Sequence, residues 1–142
     1  MAKVEVSETV AAPAAKVWDI LRDFGGVAKW GGPALQSCRV EGSGIGAVRR
    51  IGLPGGLSIA ERLEAFDDAA RSLSYAIIEK SPIPVRSYLS TVKVVETRPN
   101  ECRVDWSSSF EPDGASEEQA QGMIRAVYTG GIAGIRKALG VA

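Results

Sequence analysis

Residues 116–140 read SEEQAQGMIRAVYTGGIAGIRKALG, and this stretch decides the fold. Ser116 with Gln119 three positions on forms a capping box, the signature of a helix start. Met123, Ile124, Val127, Tyr128, Ile132, Ile135 and Leu139 then recur at helical spacing, and Gly140 supplies the left-handed residue that closes a helix. The predicted helix runs for roughly 24 residues, about 36 Å by the helical rise per residue. That is long enough to lie across an entire sheet. Gly122, Gly130, Gly131 and Gly134 sit inside it, although each costs about 1 kcal/mol relative to alanine. Either they allow close helix–sheet contact, or they leave room for a ligand.

The rest of the chain has to supply the sheet. Residues 3–10 (KVEVSETV) alternate and predict a strand. Pro13 opens a helix at its first turn, where a missing N–H costs nothing. Val17, Trp18, Leu21 and Phe24 form its apolar stripe, and it is predicted to end near Gly25-Gly26. The connection VAKWGGPALQ follows, with room for one helical turn. From there the period changes to two, predicting strands over 35–42, 46–53, 57–66, 72–80, 85–98 and 101–111. Turn residues bound each: Gly42-Ser43-Gly44, Pro54-Gly55-Gly56, Asp67-Asp68, Ser81-Pro82 and Pro99-Asn100. Successive strands with short connections make an antiparallel meander. Strand, helix, six-strand meander and long helix together predict an α+β fold. In it a curved antiparallel sheet of about seven strands wraps a long C-terminal helix.

The totals narrow the function. A chain of 142 residues suits one domain over residues 1–142. Lys+Arg and Asp+Glu both number 17, a balance that argues against nucleic-acid or membrane-surface binding. No apolar run approaches the ~20 residues of a membrane span. The opening MAKVEVSETV lacks the apolar core of a secretory signal, so a cytoplasmic location is expected. Cys38 and Cys102 are too few for a disulfide scaffold and are expected to be reduced core thiols. There is no histidine. Ser-His-Asp and Cys-His machinery and histidine-ligated zinc are thereby excluded. Acid–base chemistry falls to Asp, Glu, Tyr, Lys, Cys or water. Nothing calls for a cofactor or a metal, and Asp67-Asp68 reads as a turn.

Candidate site residues are polar groups on apolar faces. In LSIAERLEAF (57–66), Leu57, Ile59, Glu61, Leu63 and Ala65 share one face, so Glu61 lies amid apolar neighbours. A buried carboxylate needs a partner, a water network or a raised pKa. Pairing with an interior arginine or a backbone group is one solution; a ligand anchor or general base is the other. Leu73, Tyr75 and Ile77 share a second face. Tyr88, Ser90, Val92 and Val94, with Arg86 beside them, share a third, and Val104, Trp106, Ser108 and Phe110 a fourth. Hydroxyls on several neighbouring strands together with Glu61 suggest an apolar pocket with a few convergent polar groups. These faces assume register, and one bulge would swap a face. RRIGLPGGLS (49–58) places a Pro-Gly turn just before the Glu61 strand. Its leucines are candidates for an apolar cover, Leu53 and Pro54 are expected to face the cavity and move, and Arg49-Arg50 reads as a solvated strand end. GSGIGAVRR (42–50) lies between strands and opens no helix, so it is not a phosphate loop. Trp18 reads as core and Trp30 as rim.

The order of AAPAAKVWDILRDF (11–24), AERLEAFDDAARSLSYAII (60–78), IPVRSY (83–88), VDWSSSF (104–110) and the final helix resembles the START/birch-pollen-allergen superfamily, with its helix-grip fold. That superfamily includes polyketide cyclase/dehydrase-like and lipid-transport proteins. Within it the chain is most similar to the abscisic-acid receptor branch and its bacterial relatives. Ile51-Gly52-Leu53-Pro54-Gly55 resembles the receptors' gate loop, Glu61-Arg62-Leu63 their next strand and Asp67-Asp68 its turn. The resemblance implies a gated cavity in which Glu61, Tyr88 and Ser90 meet ligand through polar contacts and water. Tyr75, Ile77, Met123 and Val127 would form apolar wall. The receptors' hormone-holding lysine corresponds to Gln36, their His-Arg-Leu latch to Ile83-Pro84-Val85, and their gate serine to Ile51. Neither abscisic acid nor a phosphatase partner therefore carries over.

Two functions follow. The first is binding or carrying a small hydrophobic molecule, with Gln36, Leu53, Pro54, Ile59, Glu61, Tyr75, Ile77, Tyr88, Ser90, Trp106, Met123 and Val127 as ligand contacts. The second is a cofactor-independent cyclase/dehydrase, with Glu61 as general base and Tyr88 donating to an enolate oxygen. A filled pocket would leave an interaction module. No protein partner is identifiable.

Overall fold

The computed structural model describes residues 1–142. β1 (Ala2–Val10) leads into α1 (Ala14–Arg22), a 3₁₀ segment (Phe24–Lys29), β2 (Ser37–Glu41), β3 (Val48–Gly52), a short 3₁₀ turn (Pro54–Gly56), β4 (Ser58–Asp67), β5 (Ser72–Ile77), β6 (Val85–Arg98), β7 (Glu101–Pro112) and α2 (Glu117–Leu139). The strands form one antiparallel seven-stranded sheet in the order β1-β7-β6-β5-β4-β3-β2. The meander makes every neighbour from β2 to β7 sequential, and β1 pairs antiparallel with β7, leaving β1 and β2 as the two edges of the sheet. This is the helix-grip architecture expected from the element order.

α2 begins at the capping box: Ser116 Oγ accepts from Gln119 N–H at 3.1 Å, and the Gln119 side chain accepts from Ser116 N–H at 3.1 Å. It ends at Gly140, whose φ of 67° suits glycine. The helix packs against β1 and β7, while α1 packs against β6 and β7. Val4, Val10, Val92, Val94 and Val104 fill the space beneath them and are almost wholly buried. No helix is long and apolar enough to cross a membrane. Cys38 is half-buried and Cys102 buried, both as free thiols, and burial raises both thiol pKa values.

Several local expectations are corrected. α1 stops at Arg22, and Phe24 and Gly25-Gly26 belong to the 3₁₀ segment, so Phe24 turns inward from a different element. A bulge between Leu63 and Ala65 ends the β4 alternation. Ala65 is exposed, and Phe66 takes the inner side, 5.6 Å from the Trp18 ring. A second irregularity between Arg86 and Leu89 coincides with Ser87 at φ 53°. It turns Arg86 outward to Glu111 at 2.8 Å, away from the Tyr88 face. Trp18 is core, as expected, and its Nε1 donates to Asp68 at 2.7 Å, tying the Asp67-Asp68 turn to α1.

Candidate functional site: a cavity beside the long helix

α2 covers only one side of the sheet, and β3, β4 and β5 curve past it. Between them and the helix lies a cavity of about 320 Å³, at the small end of ligand pockets. Its wall is mostly apolar and aromatic. The 3₁₀ segment and the residues after it contribute Val27 and Trp30, β3 Arg49 and Ile51, β4 Ile59 and Glu61, β5 Tyr75 and Ile77, β6 Tyr88, and β7 Trp106.

Glu61 does find an interior arginine. Arg49 and Glu61 stand opposite each other in the β3–β4 ladder, and Arg49 Nε donates to Glu61 Oε1 at 2.8 Å. Their side chains are only 6% and 11% exposed, so this is a buried pair. Arg49 Nη1 donates to the Phe24 carbonyl at 3.2 Å. The guanidinium carbon lies 4.1 Å from the Phe24 ring centroid and 4.9 Å from that of Tyr75, a stacked setting that suits the weakly hydrated arginine head. Arg49 Nη2 and Glu61 Oε2 have no protein partner. Arg49 is thus no solvated strand end. Strand alternation turns it inward and sends Arg50 outward, where Arg50 meets Glu41 and Glu79 at 3.0 Å each.

Trp30 is also part of the cavity wall and is 8% exposed, not a rim residue. Its indole N–H is buried without a hydrogen-bond partner. Two glycines let α2 take this loop. A Cβ at Gly134 would overlap the Trp30 carbonyl, and one at Gly131 would come within 3.3 Å of the Trp30 and Trp106 rings. Gly122 and Gly130 face open space. Close contact therefore accounts for Gly131 and Gly134 and room at the cavity for Gly130, whereas Gly122 borders a separate open depression.

A second polar group lies deeper. Tyr88 Oη bonds Tyr128 Oη, Tyr128 Oη bonds Ser90 Oγ at 3.0 Å, and Ser90 Oγ donates to the Ser107 carbonyl at 3.0 Å. Trp106 stacks on Tyr128 with centroids 5.0 Å apart and donates Nε1–H to Tyr75 Oη at 3.1 Å. Burial pushes the Tyr75, Tyr88 and Tyr128 phenols above the ordinary tyrosine range, so each keeps its proton at neutral pH.

Of the residues expected at the site, Leu53, Ile59, Glu61, Tyr75, Ile77, Tyr88, Trp106 and Val127 stand in the cavity wall. Ser90 lies one layer behind it. Gln36 and Pro54 are exposed and outside the wall. Gln36 precedes β2 on the far edge of the sheet, and its N–H is taken by the Gly52 carbonyl. Met123 is 46% exposed and borders a separate open depression beside Pro82 and Pro84, because it sits one turn before Val127 on the outer flank of α2. The Pro54-Gly55 loop is closed by Leu53 N–H donating to the Leu57 carbonyl at 2.9 Å. Leu53 turns into the wall, while Leu57 is 53% exposed and covers nothing.

The missed residues are Arg49, Trp30 and Tyr128. Arg49 had a signal: counting outward from Gly55, it and Glu61 are equally distant, so a hairpin centred there pairs them. Tyr128 stood in the apolar stripe, and nothing local separates a core tyrosine from one whose hydroxyl matters.

Known proteins share this fold. XoxI from Bacillus cereus is 33% identical and superposes with a TM-score of 0.88, covering 97% of this chain and 95% of that one. The Zhui aromatase/cyclase from Streptomyces sp. R1128 is 24% identical, with a TM-score of 0.74 over 96% and 89% of the two chains. Norcoclaurine synthase from Thalictrum flavum, solved with dopamine and hydroxybenzaldehyde, is 18% identical, with a TM-score of 0.74 over 96% and 85%. The last two are similar in fold alone. Residues 1–140 match the family model described as polyketide cyclase / dehydrase and lipid transport, and this chain belongs to that family.

Proposed function

We propose that the chain binds or carries a small, mostly apolar molecule in the cavity between α2 and β3–β5. One observation carries the proposal: a mostly apolar wall around about 320 Å³ that includes the buried Arg49–Glu61 pair and the unpartnered indole N–H of Trp30. A closely packed core would fill such a volume, and the Trp30 indole N–H on its wall is a buried polar atom without a partner, at a cost of about 1–3 kcal/mol. A bound molecule offsets both costs. Leu53, Ile59, Ile77, Trp106 and Val127 supply apolar contact, and Glu61, Tyr75 and Tyr88 supply polar contact. Leu53, on the closed Pro54-Gly55 loop, stands as the gate residue. The binding role is favoured over cyclase-type catalysis by the Arg49–Glu61 hydrogen bond, since Glu61 would have to leave its guanidinium before taking a carbon-bound proton.

Native mass spectrometry of gently purified protein tests the proposal. The expected result is an added small-molecule mass that disappears in Ile77→Trp, which fills the hollow. A folded Ile77→Trp protein that retains the same added mass would place the molecule elsewhere and sink the proposal.

A further inference from the structure

The line of hydroxyls behind the cavity has a direction. The Ser107 carbonyl only accepts, so the Ser90 proton goes to it. Ser90 Oγ must then accept from Tyr128, and Tyr128 Oη must accept from Tyr88. Only this sense makes all three bonds. Reversing it, so that Tyr88 donates outward, breaks the Ser90–Ser107 bond. Ser90 and Tyr128 are fully buried, so water does not replace what is lost.

We infer that Tyr88 offers the cavity a hydrogen-bond acceptor and not a donor, so the occupant is an apolar molecule bearing a hydroxyl or N–H group, with Tyr128, behind the wall, setting that preference through Tyr88. This rests on the binding proposal and narrows its ligand class. Glu61 Oε2 is a second acceptor for the same kind of occupant, while the wall's free donors, the Trp30 indole N–H and Arg49 Nη2, bond the oxygen of an alcohol or of a carbonyl alike and so leave the discrimination to the acceptors. Tyr128 is a positioning residue. It does not line the cavity, yet it decides which way the Tyr88 proton points. A cyclase-type role in which Tyr88 donates to an enolate oxygen is closed in this arrangement.

Isothermal titration with α-tetralol and α-tetralone tests the inference, because the two share a ring skeleton and differ at C–OH versus C=O. Wild-type protein is expected to favour the alcohol by about tenfold, the scale of one unsatisfied buried acceptor. Tyr128→Phe frees the Tyr88 proton to point inward, and the ratio should fall towards parity while alcohol affinity changes little. Ser90→Ala removes Tyr128's acceptor, lets Tyr128 donate to Tyr88, and should move the ratio the same way. A purely structural role would weaken both probes equally. Equal affinity of the wild type for the two probes, or a ratio unmoved in a folded variant, overturns the inference and leaves the binding proposal standing. Failure of both probes to bind the wild type counts against the binding proposal itself. If Tyr128→Phe does not fold, the wild-type ratio and Ser90→Ala still decide.

Discussion

The two sides of the sheet's inner face are built on opposite rules. Under α1 and α2, on β1, the first half of β7 and the far part of β6, the inward positions are small, apolar and almost wholly buried, as at Val4, Val92, Val94 and Val104. On β3, β4 and β5 the inward positions include Arg49, Glu61 and Tyr75, and the helical element that packs on them is the 3₁₀ segment at β3, not α2. A single helix is narrower than a seven-stranded sheet, so one side is filled and the other is hollow. The filled side supplies stability through dispersion and burial. The hollow side tolerates charge because the charges are paired and stacked on aromatic rings. Polar residues thus mark where helix packing stops.

The largest test of this contrast breaks the ion pair. Arg49→Met leaves Glu61 buried and alone, and should cost about 3–5 kcal/mol in denaturant unfolding. The double change Arg49→Met with Glu61→Leu should recover most of that. A single-variant cost below about 1 kcal/mol would mean that the hollow side is wet enough to solvate Glu61.

Next in size is truncation on each side. Ile132→Ala, fully buried on the inward side of α2, should lose about 2–5 kcal/mol. Ile77→Ala, half-buried at the cavity wall, should lose about 1 kcal/mol or less, since it already faces a void. Similar losses would mean that the hollow collapses onto Ile77 and is no cavity in solution.

The smallest effect sharpens the boundary along α2 itself. Gly134→Ala should destabilise by about 1–3 kcal/mol, because the methyl meets the Trp30 carbonyl. Gly130→Ala, one turn earlier and with nothing nearby, should stabilise by about 1 kcal/mol through helix propensity. Thermal unfolding of both variants checks the sign. Equal signs would mean that Trp30 does not rest on the helix as described.

Much of the fold was legible because its signals are local. The Ser116–Gln119 box, the stripe from Ile124 to Ile135 and the period-two strands each depend on residues a few positions apart. Turn residues at Gly42, Pro54, Asp67 and Pro99 set the meander order. The site was legible where alternation ran undisturbed, as for Ile59, Glu61, Tyr75 and Ile77. It failed at irregularities: the Leu63–Ala65 bulge exposed Ala65, and the Ser87 kink turned Arg86 away from the Tyr88 face. It failed again on α2, where Met123 and Val127 share the stripe but only Val127 reaches the cavity.

By itself the sequence determined element order, the inward place of Glu61, the absence of histidine chemistry, and a helix long enough to need a sheet around it. These follow from periodicity, capping and composition, which a short window of chain expresses. Tertiary structure alone decided that Trp30 leaves its indole N–H unpartnered on the cavity wall, that Tyr128 controls the Tyr88 proton, and that one side of the sheet stays hollow. Each of these depends on groups distant in sequence meeting across strands or between helix and loop. Such meetings are set by register and by the mismatch in width between one helix and seven strands.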